Sequence, residues 1–305
     1  MKNLISLYDC SKEEIEDILK LAIKLKADNK AGRTHHLLKG KSLGMIFTKS
    51  STRTRVSFEV GMYQLGGQAL FLSNHDIQLG RGESIYDTAN VLSRFLDGVM
   101  IRTYAHSDVE DFAKFGKISV INGLTDLLHP CQILADFQTI YEYKGKLKGI
   151  NLAYVGDGNN ISNSLLYGCS KLGVNISVAT PVGYECDALV TERSVAEAKK
   201  VGSVVDISND PDKAIAGADV VITDTWVSMG QEDEKQERIK IFGGYQVSAD
   251  RMKTAADDAI FLHCLPAYRG YEVAAEVIDG PQSVIFDEAE NRLHAQKAVM
   301  AMCMA

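Results

Sequence analysis

The sequence predicts an α/β protein of two domains, each a parallel β-sheet flanked by helices, joined by interdomain helices. Three observations point there. Short apolar runs rich in valine and isoleucine alternate along the chain with segments of helical periodicity, the order expected when strands lie parallel under covering helices. A length of 305 residues with 46% hydrophobic residues suits two compact domains better than one. The polar, glycine-bearing segment KGKLKG (144–149) interrupts the alternation near its middle and reads as a local linker. The expected domains are residues 1–145 and 146–286, with a C-terminal helix of about 287–305 returning to the first.

The elements follow in order. MKNLISLYDCSKEEIEDILKLAIKLK places apolar residues at helical spacing with acids between them, which suits the mature fold and not a leader. SLGMIF (42–47) reads as a strand. In TRVSFEVGMYQLGG, Val56, Val60 and Tyr63 recur at i, i+4 and i+7, predicting a helix ended by Gly66. QALFL, GVMIR and ISVIN are short strands, with the helix IYDTANVLSRFL between the first two. HPCQILADFQTIYEY opens a long helix, because Pro130 suits a first turn and Ile133, Phe137, Ile140 and Tyr141 share a face. In the second half INLAYVG, NISVATP, VVDIS, DVVITD, AIFLHCLP and SVIFDE are expected as strands. NSLLYGCSKLG, ALVTERSVAEAKKVG and DPDKAIAG are the helices among them, and ENRLHAQKAVMAMCMA is the last helix.

Composition excludes some functions. A net charge of -7 gives no general attraction for nucleic acid or anionic membrane, so an anionic ligand must be met by a few placed arginines. No run approaches the ~18 apolar residues of a membrane span. The six cysteines are scattered without C-x-x-C, which favours a reducing cytoplasm, and no Cys/His pair has the spacing of structural zinc.

KSSTRTR (49–55) lies where the first strand hands over to a helix. Free N–H groups at a helix N-terminus beyond a strand end favour anions, Ser51, Thr52 and Thr54 add hydroxyl donors, and Arg53 can grip two phosphate oxygens. Taken alone, the stretch reads equally as a capped helix with surface arginines. Arg102 ends a second strand, and His129 and Gln132 occupy the opening turn of another helix; each alone reads as an ordinary polar residue. YVGDGNN resembles half of a dinucleotide fingerprint. Ile161 stands where the third glycine belongs, however, and the ribose-binding acid expected about 20 residues on is absent. Cys264, in HCLPAYRG, reads as a nucleophile, a metal ligand, a packed core thiol or a substrate contact.

SSTRTRVSFE, MIRTY, HPCQILAD, GDGNN, DTWVSMG, HCLPAYRG and FDEAENRLHAQKAVM occur in the order and spacing of the ornithine carbamoyltransferase family, and this resemblance spans nearly the whole chain. It implies transfer of the carbamoyl group of carbamoyl phosphate to the side-chain amine of L-ornithine, giving L-citrulline and phosphate, in arginine metabolism or the urea cycle. Neither cofactor nor metal is implied. By similarity Ser51, Thr52, Arg53 and Thr54 hold the phosphate, with Gln78 reaching it from a neighbouring subunit of a homotrimer. Arg102 spans phosphate and carbonyl oxygens, and His129, Gln132 and Arg292 contact the carbamoyl group. The backbone carbonyls of Cys264 and Leu265 accept from its NH2. Asn160, Asp224, Ser228 and Met229 resemble the ornithine contacts, and the catalytic groups implied are Cys264, Asp224, Arg102 and His129. Aspartate carbamoyltransferase shares STRTR but not SMG; carbamoyltransferases acting on putrescine or N-acetylornithine are closer rivals and stay as alternatives, disfavoured by the intact SMG loop. A catalytically silent phosphate-binding relative is the alternative of a different class.

Overall fold

The structure is a computed structural model that describes residues 1–228 and 230–305, apart from the side-chain surroundings of Gly80 and Glu232. The chain forms two compact units, Met1–Gln138 with Glu290–Ala305, and Thr139–Ala289. Each is built on a parallel sheet.

Unit 1 begins with α1 (Lys12–Lys30), whose start is fixed by a capping box: Glu14 N–H donates to Ser11 Oγ at 3.1 Å and Ser11 N–H to Glu14 Oε2 at 2.9 Å. Then come β1 (Ser42–Phe47), α2 (Thr52–Gln64), β2 (Gln68–Ser73), α3 (Ile85–Leu92), β3 (Gly98–Arg102), α4 (His106–Phe115) and β4 (Ser119–Leu124). The strands run in the order β2-β1-β3-β4, and Leu4 forms an isolated parallel bridge with Ile121 of β4. Ile46, Val99, Ile101 and Val120 of the sheet pack with Ala89, Val109 and Phe112 of α3 and α4. The expected helix over α2 is present, but its buried face is not the one the spacing suggests. Val56, Val60 and Tyr63 are exposed, and Thr54, Ser57, Phe58, Gly61 and Met62 are buried. Met300 and Lys297 lie so close to Gly61 that even a Cβ there would crowd them.

α5 (Pro130–Lys144) carries the chain from unit 1 into unit 2, and residues 144–149 form the turn that follows it. Unit 2 contains β5 (Asn151–Val155), α6 (Asn160–Leu172), β6 (Asn175–Ala179), α7 (Ala188–Val201), β7 (Val205–Ser208), α8 (Pro211–Ile215) and β8 (Val220–Thr223). α9 (Lys235–Phe242), α10 (Ala249–Met252), β9 (Ile260–His263) and α11 (Ala275–Ile278) complete it. The sheet order β7-β6-β5-β8-β9 puts a topological switch point between β5 and β8, where ligands of open α/β sheets bind. Val155, Val221 and Phe261 of the sheet pack with Met252, Val277 and Ile278 in its core.

SVIFDE is not a strand. Only Ser283 bridges Phe261, and Ile285 starts α12 (Ile285–Met304), which brings the chain back to unit 1. Ile285 is buried because it packs on the unit 2 core from a helix start, and Val284 is buried just ahead of it with its N–H donating to the Phe261 carbonyl at 3.0 Å, so the pair mimics a strand's apolar run in sequence. Among the described residues no helix is long and apolar enough to cross a membrane.

Candidate active site

In unit 1 the register sets the first cluster. Phe47 pairs with Arg102, so the β1–α2 turn and the Arg102 side chain leave the sheet at the same edge. Ser51 caps α2: Thr54 N–H donates to its Oγ at 3.2 Å, and that hydroxyl donates to Thr54 Oγ1 at 3.1 Å. Thr52 is exposed, Ser51 and Arg53 are half-buried, and Thr54 is buried. From α12, Arg292 Nη1 donates to Gln132 Oε1 at 2.7 Å and Nη2 to Thr54 Oγ1 at 3.3 Å. Gln132 Nε2 in turn donates to Asp136 at 2.8 Å. One buried guanidinium thus ties the capped turn of α2 to the first turn of α5.

His129 is buried beside this network. Burial, then the charges of Arg292, Arg102 and Arg53, hold its imidazole well below the usual 6.5, so it is neutral at physiological pH. A neutral imidazole among three guanidinium groups is suited to polarising a carbonyl without adding a fourth positive charge. Lys49, itself buried, pairs with Asp126 and lies 4.1 Å from the Tyr104 ring centroid, pinning the loop ahead of Ser51. Gln78 stands apart, exposed at the start of a 3₁₀ turn, Gln78–Arg81.

In unit 2 the strand ends again decide the arrangement. Thr223 pairs with His263, so the next residues, Asp224 and Cys264, emerge side by side, and the Cys264 thiol donates to Asp224 Oδ1 at 3.1 Å. The other carboxylate oxygen accepts from Asn159 Nδ2 at 2.8 Å, and Thr225 N–H donates to Oδ1 at 2.8 Å. Asn159 also caps α6, accepting from the Ile161 N–H at 2.9 Å. Gly158 in the same turn is obligatory, because a Cβ would lie 2.2 Å from the Glu185 carbonyl carbon.

His263 organises the turn that follows β9. Leu265 N–H donates to its Nδ1 at 2.9 Å, which fixes the neutral Nε2–H tautomer, and Nε2 then donates to Glu272 Oε1 at 3.2 Å. Leu265 has φ 58°, a left-handed conformation that costs a branched side chain on the order of 1–3 kcal/mol and is held here by that bond. A cis peptide joins Leu265 to Pro266. Asp224, His263 and Cys264 each offer a ligand atom within 4.8 Å of the others, the kind of grouping a cation can use. Both His263 nitrogens and the Asp224 carboxylate are, however, already engaged with protein groups, so a resident metal would have to break bonds that shape the turn.

Residues 2–142 match the family described as aspartate/ornithine carbamoyltransferase, carbamoyl-P binding domain, and residues 148–303 match the aspartate/ornithine carbamoyltransferase, Asp/Orn binding domain. The chain belongs to the aspartate/ornithine carbamoyltransferase family. An ornithine carbamoyltransferase of Caldicellulosiruptor saccharolyticus is 61% identical over 98% of this chain and 97% of its own length. One from Symbiobacterium thermophilum is 58% identical over 100% and 98%. The solved ornithine carbamoyltransferase of Pyrococcus furiosus is 54% identical and superimposes with a TM-score of 0.97 over 99% of this chain and 97% of that one.

For this carbamoyltransferase family member, the motif residues fall into two groups. Ser51, Arg53, Thr54, Arg102, His129, Gln132 and Arg292 gather in unit 1, and Asp224 and Cys264 are bonded to each other in unit 2. Asn160 is half-buried as the first residue of α6, and half-buried Ser228 is held by its N–H donating to Gln231 Oε1 at 3.0 Å. Met229 lies outside the described residues. Sequence reading missed Asn159, His263 and Glu272. Asn159 had a signal, an Asn directly before a helix start, but its grip on Asp224 spans 65 positions of chain.

Proposed function

We propose that the chain transfers the carbamoyl group of carbamoyl phosphate to the side-chain amine of L-ornithine, forming L-citrulline and phosphate, in the cytoplasm and as part of arginine metabolism. The observation that carries this reading is the Asp224–Cys264 pair: a carboxylate and a thiol fixed side by side at two strand ends, suited to an ammonium or amine, in a chain of this family. In this reading residues 1–145 with the C-terminal helix bind carbamoyl phosphate and residues 146–286 bind ornithine.

The phosphate is held by Ser51, Thr52, Arg53 and Thr54 at the N-terminus of α2 and by Arg102. His129, Gln132 and Arg292 address the carbamoyl group, where placed donors stabilise the negative charge that grows on the carbonyl oxygen. Asn160, Asp224, Ser228 and Met229 bind the amino acid. An ornithine side-chain ammonium titrates near the lysine value of about 10.4, so it must lose a proton before it attacks. Asp224 and Cys264 assist that loss, with the leaving phosphate as a further base. The neutral nitrogen then attacks the carbonyl carbon, a tetrahedral intermediate forms, and the bond to the phosphate oxygen breaks. Carbamoyl phosphate carries its own leaving group, so the chemistry calls for no cofactor and no covalent enzyme intermediate. The carbonyls of Cys264 and Leu265, aimed by the His263-fixed turn, accept from the carbamoyl NH2.

The active assembly proposed is a homotrimer in which the loop bearing Gln78 completes a neighbour's phosphate site. Support comes from an apolar stripe along α2, where Val56, Val60 and Tyr63 recur on one helix face and are all exposed. Solution mass tests the assembly. Incubation with carbamoyl phosphate and ornithine, putrescine, N-acetylornithine or aspartate in parallel tests the activity. Citrulline formed from ornithine alone is expected, and turnover with none of the four would leave a phosphate-binding protein instead.

A further inference from the structure

We propose that Arg238 is a positioning residue for the amino-acid half of the site, its guanidinium latching the loop that starts at Asp224 to the turn that ends β5. This rests on the reading above, in which Asn160, Asp224 and Ser228 contact ornithine. Arg238 lies on α9, beyond the loop. Its Nη1 donates to Asp157 Oδ2 at 2.9 Å and to the Trp226 carbonyl at 3.1 Å, while Nε donates to Glu234 Oε2 at 2.7 Å. The two partners of the ion pair are nearly sealed from solvent, 7% and 9% exposed.

Each end of this latch sits beside a proposed substrate contact. Asp157 precedes the turn of Asn159 and Asn160, and its carbonyl is itself fixed by the Tyr154 hydroxyl at 2.9 Å. Trp226 stands between Asp224 and Ser228, with its ring stacked on Phe242 at 6.0 Å and Tyr271 at 6.3 Å. The guanidinium also lies 5.0 Å from the Tyr184 ring centroid. A buried ion pair stabilises a fold little more than apolar side chains of the same volume would. What those side chains could not supply is a planar fork reaching turn, loop and helix together, and lysine cannot supply it either.

Protonation would open the latch. Facing Asp157 are Arg238 from α9, Asp224 after β8, Tyr154 from β5 and Cys186 ahead of α7; Glu234, just before α9, pairs with the Arg238 guanidinium, and Asp187 lies beside Cys186. Burial is the largest influence on the Asp157 carboxyl and pushes it up to about 6, against the pull of Arg238 and with a smaller push from Asp224. The pair is therefore charged at pH 7.5 and broken at pH 5.

The test uses the full chain as wild type, Arg238→Met, Arg238→Lys, Asp157→Asn and Ser228→Ala. Initial rates against ornithine at saturating carbamoyl phosphate are measured from pH 5 to 8.5, with carbamoyl phosphate affinity by calorimetry on each free protein. Both Arg238 variants are expected to raise the ornithine KM about 10- to 100-fold, the cost of a misplaced contact, with a smaller effect on kcat and none on carbamoyl phosphate affinity. For Asp157→Asn, the ratio of its ornithine KM to that of wild type should be largest above pH 7 and approach one near pH 5, where both side chains are uncharged. That variant carries the test if Arg238→Met does not fold. A pH-independent ratio, or carbamoyl phosphate affinity falling in parallel, overturns the latch. So does a raised KM in Ser228→Ala beside an unchanged one in Arg238→Met. An unchanged KM in Ser228→Ala overturns the reading of the ornithine site itself, and the latch with it.

Discussion

Replacing Cys264 by alanine removes the hydrogen bond its thiol gives Asp224. The thiol donates to Asp224 Oδ1 at 3.1 Å from a half-buried position, and the carboxylate keeps its bonds from Asn159 and Thr225. Hydrogen bonds to charged groups contribute about 1.5–3 kcal/mol, and a thiol is a weak donor, so the loss belongs near the lower end, about 1–2 kcal/mol. At ~1.4 kcal/mol per decade this is a fall of about 5- to 30-fold in kcat/KM for ornithine. Cys264→Ser, which keeps a donor, should fall less. The assay is citrulline formation under varied ornithine, with carbamoyl phosphate affinity measured separately and expected to stay unchanged. Unchanged kinetics in Cys264→Ala would refute the amine-facing role. A loss on the order of 10⁴–10⁶, as when a nucleophile is removed, would refute direct attack in favour of covalent catalysis.

Arg53→Ala should weaken carbamoyl phosphate binding severely and reduce the salt dependence of that binding, read by calorimetry at two ionic strengths. His129 should make the fold less stable in acid: unfolded it takes up a proton near 6.5, folded it does not, so stability falls as pH drops below that value. His129→Asn should flatten this limb in urea titrations at pH 5 and 7.5. Ser11→Ala breaks the capping box of α1 and should cost about 1 kcal/mol, seen as a lower urea midpoint with turnover per folded molecule unchanged.

The strand–helix alternation was legible because parallel strands buried on both faces read as unbroken apolar runs. It misled at SVIFDE, where the first turn of a buried helix gives the same run, and it passed over α4, a polar segment that buries only Val109 and Phe112. Periodicity along α2 found a helix but named the exposed face, because apolar residues outnumber the positions the unit 1 core takes up. At the site, the residues at strand ends and helix starts could be found from position alone. The side chains that aim them could not. Asn159 on Asp224, Glu272 on His263, and Arg238 on Asp157 are pairings that exist only once the sheets have formed.

The return of the chain to unit 1 through α12 sets an order of assembly during synthesis. Unit 2 is one continuous stretch, whereas unit 1 waits for residues 290–305, which leave the ribosome after all of unit 2. Those residues bring Arg292 to Gln132 and Thr54, Lys297 to Gln64, and the Cys303 carbonyl to the Ser119 hydroxyl. Until they arrive, the sheet whose strand β3 ends in Arg102 lacks one of its covering helices, and the cluster around His129 lacks a cation. A nascent chain is thereby kept from completing its anion site until all of unit 2 has been synthesised.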